Sequence, residues 1–356
     1  METKTSYIPA LDGLRALSIL LVFLGHVGLG GLVPGGLGVT TFFFISGYII
    51  TTLLSSEFMA QGTINLKLFY IRRILRLYPA LLLMLILTTS FVLFLGFSFP
   101  LKELVAALFY FENYYFEAAH TYTTFHYQIL WSLAVEEHFY LAFPFLLLNL
   151  IKRNLLFIAL IVGLIIVALV TRIFISYQHD ANEYAFVQTY ILTHCRFDSI
   201  LYGCLLALII HSDYKEPFLK ISTSFVAFSC GLLLLLFTFI YKDDFFRQSF
   251  RYSLQGISLL IMVSAILFDS RYSYLKKVLS TKLLVYIGKL SYSIYLFHFL
   301  AEKISTEYIK DSPLLNALVM TVLTIMLSVF SYHIVEVPFL KAKKKFGSHL
   351  ALDTSK

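Results

Sequence analysis

Long apolar stretches alternate with short polar connections along almost the whole chain. A helix needs about 20 mostly apolar residues to cross the hydrocarbon core of a bilayer. On that criterion the pattern predicts ten spans, at roughly residues 12–33, 36–55, 78–98, 128–149, 154–175, 190–211, 219–240, 252–269, 283–301 and 313–335. The apolar segment 102–112 is too short to cross and is predicted to be re-entrant or interfacial. We therefore expect an all-α, polytopic membrane protein.

The composition agrees with this expectation. Hydrophobic residues make up 59% of the 356 positions and charged residues only 14%, whereas about a quarter of a soluble domain is charged. We predict one integral-membrane domain over residues 1–340 and a basic tail over 341–356. The first apolar run is too long for a signal-peptide core, so we expect it to be retained. The three cysteines show no ligand-type spacing, and we predict neither a disulfide framework nor a metal site.

The basic residues lie mainly in the connections that alternating spans would leave on one side. Such connections face the cytoplasm in membrane proteins. The segments around Arg72, Lys152 and Lys276 and the tail sequence KAKKK therefore predict that both chain ends are cytoplasmic. The net charge of +7 is explained by topology, and no nucleic-acid partner is predicted. The basic residues assigned to the spans themselves are Arg15, Arg196 and Lys289.

The first span carries two ionisable residues, Arg15 and His26. Eleven residues at about 100° each bring both side chains to one helix face, separated by about 16.5 Å along the axis. An ionisable side chain inside a membrane costs at least about 2–3 kcal/mol, so it needs a partner and usually has a function. The pair predicts a polar tunnel along that face or, alternatively, two structural residues, with Arg15 snorkelling and His26 bonded to a neighbouring helix.

A cluster of arginines precedes the third span in FYIRRILRLYPA. Arg73 and Arg76 are three residues apart, so both can reach one anion, and guanidinium groups form paired, charge-assisted hydrogen bonds with phosphate. The alternative is that these arginines set the topology and meet anionic lipid headgroups. Glu336, at the end of the last span, is expected at the depth of Arg15 and of this pair, where it can orient one of the arginines.

Aromatic residues crowd the connection before the fourth span. Their flat faces can stack on sugar rings. The alternative is the interfacial aromatic belt that membrane proteins commonly carry. The candidates for stacking are Tyr114, Tyr115, Tyr122, Phe125 and Tyr127.

The fourth span begins WSLAVEEHFYLAFP and contains the single tryptophan, Trp131. Ser132 and Glu136 share one helix face, whereas Glu137 is turned away by about 100°. Two adjacent glutamates inside an apolar helix are not expected to face lipid. At least one should face a polar interior and pair with an arginine or with His26.

Polar residues also occur in two later spans. Arg196 and Asp198 are predicted to form a structural ion pair, with each other or with other intramembrane charges. In span nine, polar-tipped residues recur at i, i+4 and i+7 and form either a helix-packing stripe or a functional one. This stripe consists of Ser291, Tyr295 and His298.

Together these segments resemble the acyltransferase 3 family, bacterial membrane enzymes that O-acylate cell-surface polysaccharides. The resemblance extends from about residue 7 to residue 340. It rests on seven blocks in the family's order: LDGLRA…H, GGLGVTTFFFISGYII, FYIRRILRLYPA, WSLAVEEHFYL, RFDSILYG, GKLSYSIYLFH and VEVPF. His138 stands where the family often has glutamine, and Val337 where it often has arginine. The resemblance implies the stand-alone form, without the fused SGNH esterase-like domain of some members.

The resemblance and the patterns above assign roles to individual residues. The predicted catalytic residues are His26, Arg15, Glu136 and Glu137, with His26 as the base. The predicted residues for handling acyl-coenzyme A are Arg73, Arg76 and Glu336. The predicted substrate or oxyanion residues are Trp131, Ser132, Tyr295 and His298.

The implied reaction joins a donor and an acceptor from opposite sides of the membrane. The donor is a cytoplasmic acyl-coenzyme A, most simply acetyl-CoA, whose head lies among the arginines and whose arm reaches towards His26; no tightly bound cofactor is expected. The acceptor is a lipid-linked or surface polysaccharide such as O-antigen, and the implied location is the bacterial inner membrane. Direct attack and an acyl-enzyme relay both fit.

Two other functions compete with acyl transfer. Buried charges across ten spans also suit a proton-coupled secondary transporter. A noncatalytic subunit of a glycan assembly complex would carry the same composition.

Overall fold

The computed structural model describes residues 7–119 and 127–346, and the regular secondary structure in these ranges is helical throughout. The α-helices are α1 Pro9–Leu24, α2 Gly35–Gln61, α3 Leu66–Phe94, α4 Leu101–Leu108, α5 Glu112–Ala119, α6 Trp131–Leu150, α7 Asn154–Gln178, α8 Glu183–Ile191, α9 Thr193–Ile210, α10 Lys215–Ser222, α11 Phe225–Ile240, α12 Asp244–Gln248, α13 Arg251–Phe268, α14 Ser273–Leu279, α15 Lys282–Tyr308, α16 Pro313–Phe330 and α17 Val337–Lys343. Wider π-helical turns extend α1 over Gly25–Leu29 and join α16 to α17 over Ser331–Glu336.

The number of spans agrees with the sequence. Within the described ranges, nine helices are long and apolar enough to cross a membrane, or ten if the bent pair α10 and α11 is one span. That pair corresponds to the seventh predicted span and bends by 67°. The all-α, polytopic prediction is therefore confirmed.

The third span starts earlier than predicted. Its helix begins at Leu66, because the Asn65 side chain accepts a hydrogen bond from the Leu68 backbone amide and caps it. It continues through Pro79, where only one intrahelical hydrogen bond is lost. The arginine cluster therefore lies on the spanning helix itself and not in a loop before it.

The short segment after α3 folds back against that helix, and whether it is re-entrant or interfacial stays a prediction. The Tyr78 hydroxyl, halfway along α3, donates to the Leu108 carbonyl at the end of α4 (3.2 Å). The chain then turns at Tyr110, whose φ of 56° is left-handed, and returns as α5. Glu112 at this turn is fully buried, and neither carboxyl oxygen is hydrogen-bonded to another described residue. Burial raises the pKa of this carboxyl well above its usual range.

A buried ionic network ties α7, α9 and α13 together. Arg172, with no exposed surface, pairs with Asp198 (2.8 Å) and donates to the Ser253 hydroxyl (2.7 Å). Of the two predicted arrangements, Asp198 adopts the pairing with another intramembrane charge, Arg172, and not with Arg196, because residues two apart on a helix point in different directions. Arg196 instead donates to Thr40 (3.1 Å) and lies 3.8 Å from the centroid of the Tyr252 ring.

The helices α2, α9 and α15 are mostly buried, whereas α7 and the last span present most of their surface outward. Helix α1 lies against α15 at very close range. A Cβ atom on Gly288 of α15 would lie 1.9 Å from the Asp12 carbonyl oxygen of α1, so only glycine permits this approach. The contact brings together two of the helices that carry predicted site residues.

Candidate active site

One cavity of about 370 Å³ collects most of the predicted site residues. Its volume lies within the range of small-molecule sites. The walls come from α1, α2, α3, α6 and α15, with α17 and the turn after it at one end. The predicted residues that line it are Arg15, Arg73, Arg76, Ser132, Glu136, Tyr295 and Glu336.

The arginines gather at the end of the cavity where both ends of the described chain lie. Arg15 donates to the Ser291 hydroxyl (3.2 Å). The Arg73 guanidinium lies 4.4 Å from the centroid of the Tyr140 ring. Arg72 forms an ion pair with Glu57 (3.2 Å). Arg73 and Arg76 therefore face the cavity together, as their spacing predicts.

Two carboxylates of the cavity, Glu136 and Glu336, are held by hydroxyl groups and not by arginines. Glu136 accepts hydrogen bonds from Ser46 and Tyr140, both at 3.0 Å. Glu336 accepts a hydrogen bond from Ser293. No described arginine or histidine forms an ion pair with either carboxylate, so the predicted ion pair of Glu136 is not formed, and the orienting of an arginine by Glu336 stays a prediction. Hydroxyls on α2, α6 and α15 are nearer, and the arginines act on these carboxylates only at longer range.

Two predicted site residues lie behind the wall of the cavity. Trp131 is buried, with its ring 4.7 Å from that of Tyr190 and 6.1 Å from that of Phe43. Glu137 is on the neighbouring face of α6, and its Oε1 has no hydrogen-bond partner among the described residues. Neither side chain lines the cavity.

Arg15 and His26 face the same helix, as their spacing predicts. Arg15 contacts Ser291, and His26 contacts Glu302, and the members of each pair are 276 positions apart in the sequence. The helices α1 and α15 are therefore parallel and in a constant register. Because a carboxylate only accepts, His26 Nδ1–H donates to Glu302 Oε2, over 2.7 Å. This leaves Nε2 of His26 without the proton when the ring is neutral.

The sequence did not indicate Glu302, although a signal was present. It extends the predicted stripe of Ser291, Tyr295 and His298 to i+11 on the same face of α15. Apolarity ends the predicted span at residue 301, one residue before Glu302, but α15 continues to Tyr308.

His26 does not line the cavity, and of the two predicted arrangements its bond to a neighbouring helix, at Glu302, is the one observed. The hydroxyls of Tyr295 and Ser132 lie 2.5 Å apart, and Tyr295 also donates to the Ile129 carbonyl (2.9 Å). These side chains close the cavity. His298 lies beyond them, with ring centroids 5.6 Å from Tyr295 and 4.8 Å from His26.

A line of polar side chains thus continues from the closed end of the cavity to His26. The His298 Nδ1–H donates to the Tyr295 carbonyl (2.7 Å), and His298 Nε2 has no partner among the described residues. His26 and Glu302 at the far end are partly exposed, at 34% and 27% of their side-chain surface. The histidine is therefore accessible from outside the cavity.

The aromatic residues predicted to stack on sugars lie in different environments. Tyr122 and Phe125 lie outside the described residues. Tyr127 is fully buried and bonded to Thr89 (2.6 Å), so it cannot present a face to a sugar, and its assignment is wrong. Tyr114 and Tyr115 line an apolar groove of about 610 Å³ with α4, which is compatible with stacking and with an aromatic belt.

Comparisons with known proteins agree on one family. The model of the acyltransferase 3 family, described as "Acyltransferase domain", matches residues 8–333. The chain is 33% identical to "Putative O-acetyltransferase SACOL0978" of Staphylococcus aureus strain COL, over 95% of this chain and 58% of that protein. It is 32% identical to "O-acetyltransferase OatA" of S. aureus strain NCTC 8325, over 94% of this chain and 57% of that protein.

The chain thus spans a little under three fifths of the length of these relatives. No solved structure matches it. The family match nevertheless covers nearly all of the helical bundle and the residues of the cavity from Ile8 to Tyr332. The chain belongs to the acyltransferase 3 family of multi-pass membrane proteins.

Proposed function

We propose that this protein is an O-acyltransferase of the bacterial inner membrane. It transfers an acyl group, most simply acetyl, from cytoplasmic acyl-coenzyme A to a hydroxyl of a lipid-linked or surface polysaccharide such as O-antigen. The observation that carries the proposal is the constant register of α1 on α15, which aligns a cationic cavity with the His26–Glu302 pair. Its O-acetyltransferase relatives support the reaction class.

The cavity suits the donor by charge and by length. Coenzyme A has phosphates at one end and a thioester at the end of a long pantetheine arm. The phosphates would bind Arg73, Arg76 and Arg15 through charge-assisted hydrogen bonds. The arm would extend towards Tyr295, along a helix on which Arg15 and His26 are separated by about 16.5 Å.

His26 would act as the general base. Its Nε2 takes the proton of the acceptor hydroxyl while the hydroxyl oxygen attacks the thioester carbonyl carbon. The carbon–sulfur bond then breaks, and the coenzyme A thiolate leaves and takes up the proton. Such general-base catalysis contributes about 10²–10⁴-fold to the rate. Glu302 fixes the ring and stabilises the imidazolium that forms, as the carboxylate does in a catalytic triad.

Tyr295 and Ser132 stand between donor and base. For direct transfer, their hydrogen bond opens and their hydroxyls donate to the developing oxyanion, with His298 behind them. For a relay, one hydroxyl accepts the acyl group first and passes it to the acceptor. Arg15, Glu136 and Glu137 also belong to the proposed catalytic set. Arg15 and Glu136 would act through their charges inside the cavity, and Glu137 would act through its charge behind the cavity wall.

The decisive experiment is His26→Ala, assayed for acyl transfer by the purified full chain with acetyl-CoA and a glycan acceptor. We expect the variant to insert and accumulate but to lose at least about 10²-fold in rate. His211→Ala is the matched control, because that histidine bonds only its own helix, at the Ala207 carbonyl.

Normal acyl transfer by His26→Ala would refute the assignment. Transport of unmodified substrate into vesicles, without an acylated product, would favour the transporter.

A further inference from the structure

The C-terminal helix α17 lines the arginine end of the cavity. The lining positions Val337, Leu340, Lys341 and Lys344 are spaced i, i+3, i+4 and i+7, so they form one helix face. Lys343 lines the cavity as well. Arg72 of α3 donates to the Phe346 carbonyl (3.3 Å), which fixes the end of this segment against α3. The basic segment is therefore part of the site.

The cavity holds an excess of positive charge. Eight of its lining residues are Lys or Arg and four are Asp or Glu. One of the four, Glu57, is paired with Arg72, and Glu136 and Glu336 accept from hydroxyls. Lys343 experiences the like charges of Arg72, Arg73 and Arg76. Gathering like charges away from bulk water is unfavourable unless an anion compensates them, so this end suits a ligand with several phosphates.

We propose that Lys341 and Lys343 bind the 3′-phosphate of coenzyme A, which makes α17 the element that recognises the nucleotide end of the donor. The inference rests on the proposed function. The reactive thioester must lie at the Tyr295 end, so the opposite end of the donor lies at the mouth of the cavity. The diphosphate lies between the two ends of the donor and would therefore bind Arg73, Arg76 and Arg15.

The same lysines could hold the phosphate of a lipid headgroup, and the experiment separates the two sources. Binding of coenzyme A, dephospho-coenzyme A and pantetheine to the full chain is measured by calorimetry in phosphatidylcholine nanodiscs. The test variant is Lys341→Gln/Lys343→Gln. The control is Lys345→Gln, an exposed lysine of the same segment that does not line the cavity.

We expect the unmodified protein and the control to bind coenzyme A about tenfold more tightly than dephospho-coenzyme A. The double variant should bind both about equally, with pantetheine binding unchanged. If the double variant keeps the tenfold preference, the inference is wrong. A difference that arises only in phosphatidylglycerol nanodiscs would assign the lysines to lipid. Failure of the unmodified protein to bind any of the three would instead contradict the proposed donor.

Discussion

His26 is oriented by a carboxylate that lies far away in the sequence and adjacent in space. The 2.7 Å contact with Glu302 selects the tautomer with the proton on Nδ1 and leaves Nε2 without a proton in the neutral ring. An unpartnered imidazole would sample both tautomers and several orientations. Glu302 is thus a positioning residue, since it acts through His26.

We predict that Glu302→Gln lowers kcat by about 10²-fold while KM for the acyl donor stays the same. The amide can keep a hydrogen bond but no longer stabilises the imidazolium. Steady-state kinetics with acetyl-CoA and the glycan acceptor measures both constants. Glu307→Gln is the control, because Glu307 is exposed and pairs with Lys310 (3.5 Å) away from His26. A wild-type kcat in Glu302→Gln would show that His26 needs no orienting group.

At the scale of single residues, the sequence shows which polar residues lie inside apolar spans. It does not always show which partner each of them binds. Arg15, His26 and Glu136 stand out because apolar residues surround them. Arg172 also lies among apolar residues inside the fifth predicted span, yet the sequence does not predict its pairing with Asp198. Partners come from helices distant in sequence, and periodicity within one helix carries no information about them.

The helix pair α1 and α15 is the element on which the site depends. Its closest approach is at Gly288, where any side chain meets the Asp12 carbonyl. Separating the two helices would move Arg15 from Ser291 and His26 from Glu302 at the same time. One glycine therefore controls the geometry at both ends of the site.

We predict that Gly288→Ala lowers stability by about 1–3 kcal/mol through overpacking and also lowers acyl transfer. Thermal unfolding in detergent and the acyl-transfer assay measure the two effects. Gly163→Ala on α7 is the matched control, because a Cβ there meets nothing within 4 Å. Unchanged melting and activity in Gly288→Ala would mean that the two helices are not in this close contact.

Apolar length predicts where helices cross, but it does not predict where they begin, bend or turn back. Helix α3 extends well before its apolar part because Asn65 caps it. The bend between α10 and α11 lies where Thr223 ends one helix and Ser224 caps the next. Such boundaries depend on single capping hydrogen bonds, which leave little trace in average hydropathy.

At the scale of the whole molecule, both ends of the described chain lie at one cavity. Tyr7 and Lys344 line it together, so they lie on the same side of the bundle. That both are cytoplasmic stays a prediction from the positive loops.

We expect reporter tags placed before residue 7 and after residue 346 to be protected in intact cells. A tag in the loop at residues 242–243, several helices away, should be accessible. Protease digestion of cells before and after permeabilisation measures this. Accessibility of both chain-end tags in intact cells would invert the topology and would place the cationic cavity opposite the cytoplasmic pool of donor.

The parallel contact between α1 and α15 also determines when the site can exist during synthesis. Helix α1 leaves the ribosome first, whereas Ser291 and Glu302 follow only after most other spans have entered the membrane. Until then, Arg15 and His26 lack their hydrogen-bond partners Ser291 and Glu302. A chain that stops short of residue 282 carries the donor arginines and the histidine but can never assemble them into a site. The proposed activity therefore cannot precede the synthesis of α15.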